Sequence, residues 1–121
     1  MPTIAVDFDG VIHAYSKGWH DGTIYDPPMP GALDALRTLM RDYAVFVHTS
    51  RNPIQVSIWL REHGFKTRID GGLLTFWNER DVLLVTWNKL PAIAYIDDRG
   101  IRFESWDQAL AELRAVTKES R

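Results

Sequence analysis

Three short runs, Thr3-Ile4-Ala5-Val6, Ala44-Val45-Phe46-Val47 and Ala92-Ile93-Ala94-Tyr95-Ile96, are almost wholly apolar and stop abruptly at polar residues. A strand with one wet face alternates apolar and polar side chains. A short run that is apolar at nearly every position is buried on both faces, as a strand inside a parallel sheet is. Helical patterns separate these runs. Pro30-Gly31 opens a helix whose Leu33, Leu36, Leu39 and Met40 share one face. Asn52, Pro53 and Gln55 supply an N-cap, a proline at the first helical position and an amide at the third. That second helix carries Val56, Trp59 and Leu60 and stops at Gly64. Ser105 with Gln108 caps a third, carrying Ala109, Leu110 and Leu113. The alternation predicts an α/β fold: a three-layer α/β/α sandwich around a central, mainly parallel sheet.

At 121 residues the chain is expected to form a single domain, 1–121. Residues 11–29 mix glycine, proline and tryptophan without periodicity and read as a flap loop, a kind of segment that is usually functional. Phe65 to Ile69 and Ile101 to Phe103 are candidates for short strands. Residues 71–88 form a small insert, either a β-hairpin turning at Asn78-Glu79-Arg80-Asp81 or a helix followed by a strand. With 45% hydrophobic and 25% charged residues the chain is neither disordered nor membranous, and no stretch is long enough to span a bilayer. A net charge of −2 excludes an extended nucleic-acid surface, although one phosphorylated terminus remains a feasible substrate. There is no cysteine, hence no disulfide, zinc knuckle or thiol chemistry. No signal-peptide pattern is present, so the expectation is a cytoplasmic protein without a membrane partner.

In a parallel sheet ligands bind beyond the carboxyl ends of the strands. Asp7 and Asp9 leave the first run two residues apart, and Gly10 frees the backbone to turn away. Converging carboxylates repel unless a cation or a shared proton compensates, and Mg²⁺ favours a few carboxylates plus water. An aspartate can also attack phosphorus. A solvated acidic turn has the same composition, so the pair alone decides nothing. Thr49 and Ser50 place hydroxyls beside the N–H groups of a capped helix, which can cradle a phosphate. Lys89 is placed to neutralise a transferring phosphoryl group. Asp97-Asp98, after five apolar or aromatic residues, reads as a metal site, with a helix or turn cap paired to Arg99 as the alternative.

Taken in order, Val6-Asp7-Phe8-Asp9-Gly10-Val11, Val47-His48-Thr49-Ser50-Arg51, Lys89 with Pro91, and Ile96-Asp97-Asp98-Arg99 resemble the four motifs of the haloacid dehalogenase-like (HAD) superfamily. The resemblance runs over essentially the whole chain and implies a Rossmann-like fold of the small capless phosphatase type. It implies a Mg²⁺-dependent phosphatase in which Asp7 is the nucleophile and forms an aspartyl-phosphate. Asp9 moves the proton and binds metal through its carbonyl. Thr49, with Gly10, Ser50 and Arg51, contacts the phosphoryl group, and Lys89 offsets its charge. Asp98 is the first choice for the direct acidic metal ligand, Asp97 assisting. An acid at Asp9 favours transfer to water over dehalogenation.

The implied substrate is a small-molecule phosphate ester, such as a nucleotide or sugar phosphate, or a phosphorylated nucleic-acid end. His13, Tyr15, Trp19 and His20 are candidate substrate contacts or flap packing. Trp77 and Trp87 suit a homodimer patch, the rim of the entrance or the core of the insert. A receiver-like phosphoacceptor and a catalytically silent phosphate-binding regulator remain the alternative functions.

Overall fold

The computed structural model describes residues 2–97 and 101–119. The strands are β1 (Thr3–Asp7), β2 (Ala44–His48), β3 (Thr67–Ile69), β4 (Leu83–Thr86), β5 (Ala94–Asp97) and β6 (Ile101–Arg102). The helices are α1 (Ala32–Asp42), α2 (Pro53–Glu62) and α3 (Trp106–Glu119). The six strands form one sheet in the order β3-β4-β2-β1-β5-β6, and every pairing is parallel. The expected α/β fold around a parallel sheet is therefore present, with no separate cap domain among the described residues; its second covering layer is irregular chain rather than the expected helix.

Connection handedness fixes what covers each face. Parallel strands are joined by right-handed crossovers, so the direction of travel across the sheet selects the face on which the connection lies. From β1 to β2 and from β2 to β3 the chain moves one way, and α1 and α2 both pack on the face of Ile4, Val6, Val45 and Val47. From β3 to β4 and from β4 to β5 it moves back. Those two connections lie on the other face, where Trp77 and Leu90 pack against Ala5, Ala44, Phe46 and Leu84. The terminal helix α3 joins the first face through Trp106, Ala109 and Leu113. All three helices thus lie on one side of the sheet, and irregular chain forms the layer on the other.

The sequence signals at the helix ends are realised. Asn52 accepts from the Ile54 N–H at 2.9 Å with Pro53 as the first helical residue. Gly64 ends α2 with φ +94, a conformation an L side chain resists. Ser105 Oγ accepts from the Gln108 N–H at 3.2 Å and Gln108 Oε1 from the Ser105 N–H at 3.4 Å, a reciprocal capping box.

The insert differs from both forms expected of it. Residues 71–82 form neither strand nor helix, and β4 lies inside the sheet, parallel to β2 and β3, so there is no hairpin. The reason is burial: Leu83, Leu84, Val85 and Thr86 are all at 0% exposure, which only an interior strand allows. The irregular layer is held instead by Trp77, buried at 3% exposure, whose carbonyl accepts from Thr3 Oγ1 at 2.6 Å. No helix among the described residues is long and apolar enough to cross a membrane.

Trp77→Ala is expected to cost about 3–5 kcal/mol in urea denaturation. It should also raise amide exchange across residues 71–82 while leaving the helices protected, because the lost anchor serves only the helix-free face.

Candidate active site

Asp7, Thr49, Lys89 and Asp97 lie at or just beyond the carboxyl ends of β1, β2, β4 and β5. Asp7 is the last residue of β1, opposite His48 at the end of β2 and one strand from Asp97 at the end of β5. By strand alternation Asp7 follows Thr3 and Ala5, His48 follows Ala44 and Phe46, and Asp97 follows Tyr95. All three therefore reach the rim on the helix-free side. Asp98 lies outside the described residues.

Asp7 is half-buried, and burial pushes its carboxyl up to about 6. The Phe8 N–H, donating to Oδ1 at 2.8 Å, and nearby His48 work against that rise, while Asp9 and Asp97 add to it. Phe8 itself is fully buried, stacked 5.5 Å from His13 and edge-on to Trp59 at 5.3 Å, so the strand end is clamped. Gly10 then turns the chain away with φ +78.

Asp9 is engaged quite differently. Arg51 Nε donates to both of its carboxylate oxygens, at 3.0 and 2.8 Å. His13 completes the grip: its Nδ1 lies 2.9 Å from Asp9 Oδ1, and its Nε2 lies 3.0 Å from the backbone nitrogen of Asp26. A backbone N–H can only donate, so Nε2 accepts and the ring proton is assigned to Nδ1, which donates to Asp9. About a fifth of the Asp9 side chain (20%) stays exposed, whereas Arg51 is at 1% and His13 at 0%. The candidate substrate contact His13 is therefore a buried link between Asp9 and the flap.

Arg51 carries the flap tip as well. Its Nη1 donates to the Gly22 carbonyl at 2.7 Å, and Trp19 lies over the guanidinium at 4.5 Å. Its Nη2 is buried and has no hydrogen-bond partner among the described residues. The flap base is closed by Met29 N–H to the Ile12 carbonyl at 2.7 Å and Ala14 N–H to the Pro27 carbonyl at 3.1 Å. Tyr15 (φ +58) and His20 (φ +51) are in the left-handed region, a conformation that costs a non-glycine residue roughly 1–3 kcal/mol.

Thr49 is buried at 3%, and its N–H is held by the Thr86 carbonyl at 3.0 Å. Its hydroxyl oxygen accepts from the Arg51 N–H at 3.1 Å, which leaves the hydroxyl proton to donate elsewhere. Ser50 beside it is exposed. Lys89 is exposed on the same rim, with Nζ 5.6 Å from the centre of the Tyr95 ring, and it forms no ion pair with Asp7 among the described residues. Trp87, next to His48, Thr49 and Ser50, donates from Nε1 to the Arg51 carbonyl at 2.6 Å.

No three acidic or histidine side chains among the described residues close into a metal cage. The donors present nonetheless fit magnesium. Asp7 and Asp97 offer hard oxygen ligands, and the upward push on Asp7 from burial and from its acidic neighbours is what a divalent cation relieves. The Asp9 carboxylate is committed to Arg51 and His13. Arg51, expected as a phosphoryl contact, is here paired with Asp9. The sequence signal for the His13–Asp9 contact is their four-residue spacing across a turning chain.

A hollow of about 570 Å³ lies among Arg37, Arg41, Lys66 and Arg80, beside the starts of β3 and β4. No family model, curated protein or solved structure matches this chain.

Two outcomes are expected. Because the folded carboxyl of Asp7 sits above its ordinary value of 3.8, the native state keeps a proton that the unfolded chain loses. Its contribution to stability therefore falls as pH rises from 3.8 to about 6. Asp7→Asn should raise the melting temperature in magnesium-free buffer at pH 8, and the gap should close as pH falls through that window; a gap independent of pH would count against the burial argument. Asp9→Asn should cost about 3–5 kcal/mol by leaving a buried guanidinium uncompensated. Adding Arg51→Met should restore part of that loss in a double-mutant cycle, whereas additive losses would show the two are not coupled.

Proposed function

We propose that the chain is a cytoplasmic, magnesium-dependent phosphohydrolase acting through an aspartyl-phosphate on Asp7. Its substrate would be a phosphate monoester such as a nucleotide, a sugar phosphate or a nucleic-acid end. The observation that carries this reading is the environment of Asp7: a carboxylate short of water, at the switch point of a parallel sheet, one strand from Asp97 and opposite His48, which precedes Thr49. The order of the four motifs, which resembles the HAD superfamily, supports it. The cytoplasmic assignment rests on composition alone.

In this mechanism an Asp7 carboxylate oxygen bonds to phosphorus as the ester P–O bond breaks, and the leaving oxygen takes a proton from Asp9. Water then attacks the phosphorus, Asp9 takes its proton back, and the Asp7–phosphorus bond breaks. Thr49 donates its spare hydroxyl proton to a phosphoryl oxygen. Lys89, on a flexible stem at the rim, swings from Tyr95 toward the developing charge. Magnesium, when bound, screens the phosphoryl oxygens and the carboxylates. Arg51 lies beneath Trp19, so its unpaired Nη2 meets substrate only if the flap tip moves.

One observation favours a second reading. The Asp9 carboxylate is held by Arg51 and His13, and a proton carrier tied down in this way turns over slowly. A receiver-like phosphoacceptor would show that behaviour, as would a silent phosphate-binding regulator.

A panel of phosphate monoesters, assayed with and without Mg²⁺, tests the proposal. Turnover should require the metal and fall about a thousandfold or more in Asp7→Asn. Turnover surviving both EDTA and the substitution would overturn it. Stoichiometric labelling of Asp7 without release would select the phosphoacceptor.

A further inference from the structure

Trp87 is 63% exposed, an unusual position for the largest side chain on the rim of a candidate active site. It is nevertheless not free to turn. Nε1 donates to the Arg51 carbonyl at 2.6 Å, and its own carbonyl lies 3.0 Å from His48 Nε2, so the residue is pinned to the loop that carries Thr49 and Ser50. Among the described residues no aromatic ring or cation packs on the indole. Trp19, the other exposed tryptophan near this loop, differs: its ring is covered by Arg51 and lies against Gly22. Trp87 thus presents an unused, fixed aromatic face.

That face borders a hollow of about 420 Å³ shared with His48, Thr49 and Ser50. The volume falls in the range of roughly 300–1,000 Å³ typical of small-molecule sites. Thr49 and Trp87 both line it. A ligand filling it joins a phosphate to a flat, apolar, polarisable group through a short polar link. A sugar phosphate lacks the flat group, and a phosphorylated side chain of serine or threonine does too.

We propose that Trp87 is a stacking platform for the base of a nucleotide, so that the substrate class of this site is a phosphate ester of a nucleoside. The assignment rests on the reading of Asp7 and Thr49 as the phosphate end of the site. Stacking explains why the ring is held rigid yet uncovered: a pinned ring loses little freedom when the base arrives, and every base offers it a face.

The test compares AMP with ribose 5-phosphate, which carries the same ester without the base. Binding is measured by calorimetry without magnesium and hydrolysis with it, for wild type, Trp87→Ala and Trp87→Phe. Wild type should bind AMP about tenfold or more tighter than ribose 5-phosphate. Trp87→Ala should abolish that preference by weakening AMP far more than ribose 5-phosphate, and Trp87→Phe, which keeps a ring, should retain most of it. Equal binding of the two esters by wild type overturns the platform, and so does an equal loss for both in Trp87→Ala. A dimer that Trp87→Ala dissociates with the AMP preference intact also overturns it, assigning the ring to an interface between copies. Hydrolysis of both esters with equal kcat/KM would leave the phosphatase standing and the platform refuted. Base-dependent binding without hydrolysis would do the reverse.

Discussion

A guanidinium cannot be buried without partners, and around Arg51 that requirement organises the carboxyl-end rim of the sheet. Arg51 follows β2 and precedes α2, and its side chain crosses to Asp9 beyond β1 and then to Gly22 at the tip of the flap. Three segments distant in sequence are thereby held by one cation. Trp19 over its face and Trp87 on its carbonyl extend the arrangement to both sides of the phosphate-cradle loop. His13 gives the same assembly a second attachment, since it bonds to Asp9 through one ring nitrogen and to the flap backbone through the other. Moving the flap therefore means disturbing the environment of Asp9.

Asp7 and Asp9 occupy opposite circumstances although only Phe8 separates them. Asp7 is short of water and acid-crowded, which makes it a strained anion seeking a cation or an electrophile. Asp9 is compensated by a neighbouring cation and a hydrogen-bond donor. Environments that set two acids apart are the usual way one site obtains two different roles from the same side chain.

Much of this architecture was legible in the residues. The unbroken apolar runs reported strands buried on both faces, and Asn52-Pro53, Gly64 and the Ser105–Gln108 box reported helix ends through local hydrogen bonding that needs no tertiary context. The rim positions of Asp7, Thr49, Lys89 and Asp97 followed because a parallel sheet gathers its strand ends at one edge. What the sequence left open was decided by long-range packing. Residues 71–82 have a strand-like composition, but only the site between β2 and β3 explains why Leu83 to Thr86 pair there and leave the preceding residues irregular. The partners of Arg51 and His13 depend on how the flap folds back, which no periodicity encodes.

The two-sided covering of the sheet has an evolutionary consequence. The helices, with their caps and interlocking side chains, sit on the face that holds the fold together. Asp7, His48, Tyr95 and Lys89 open toward the face clothed only in irregular chain. Insertions, deletions and exchanges in that clothing alter what approaches Asp7 without repacking a single helix. A lineage built on this plan can remodel that face while its scaffold stays unchanged.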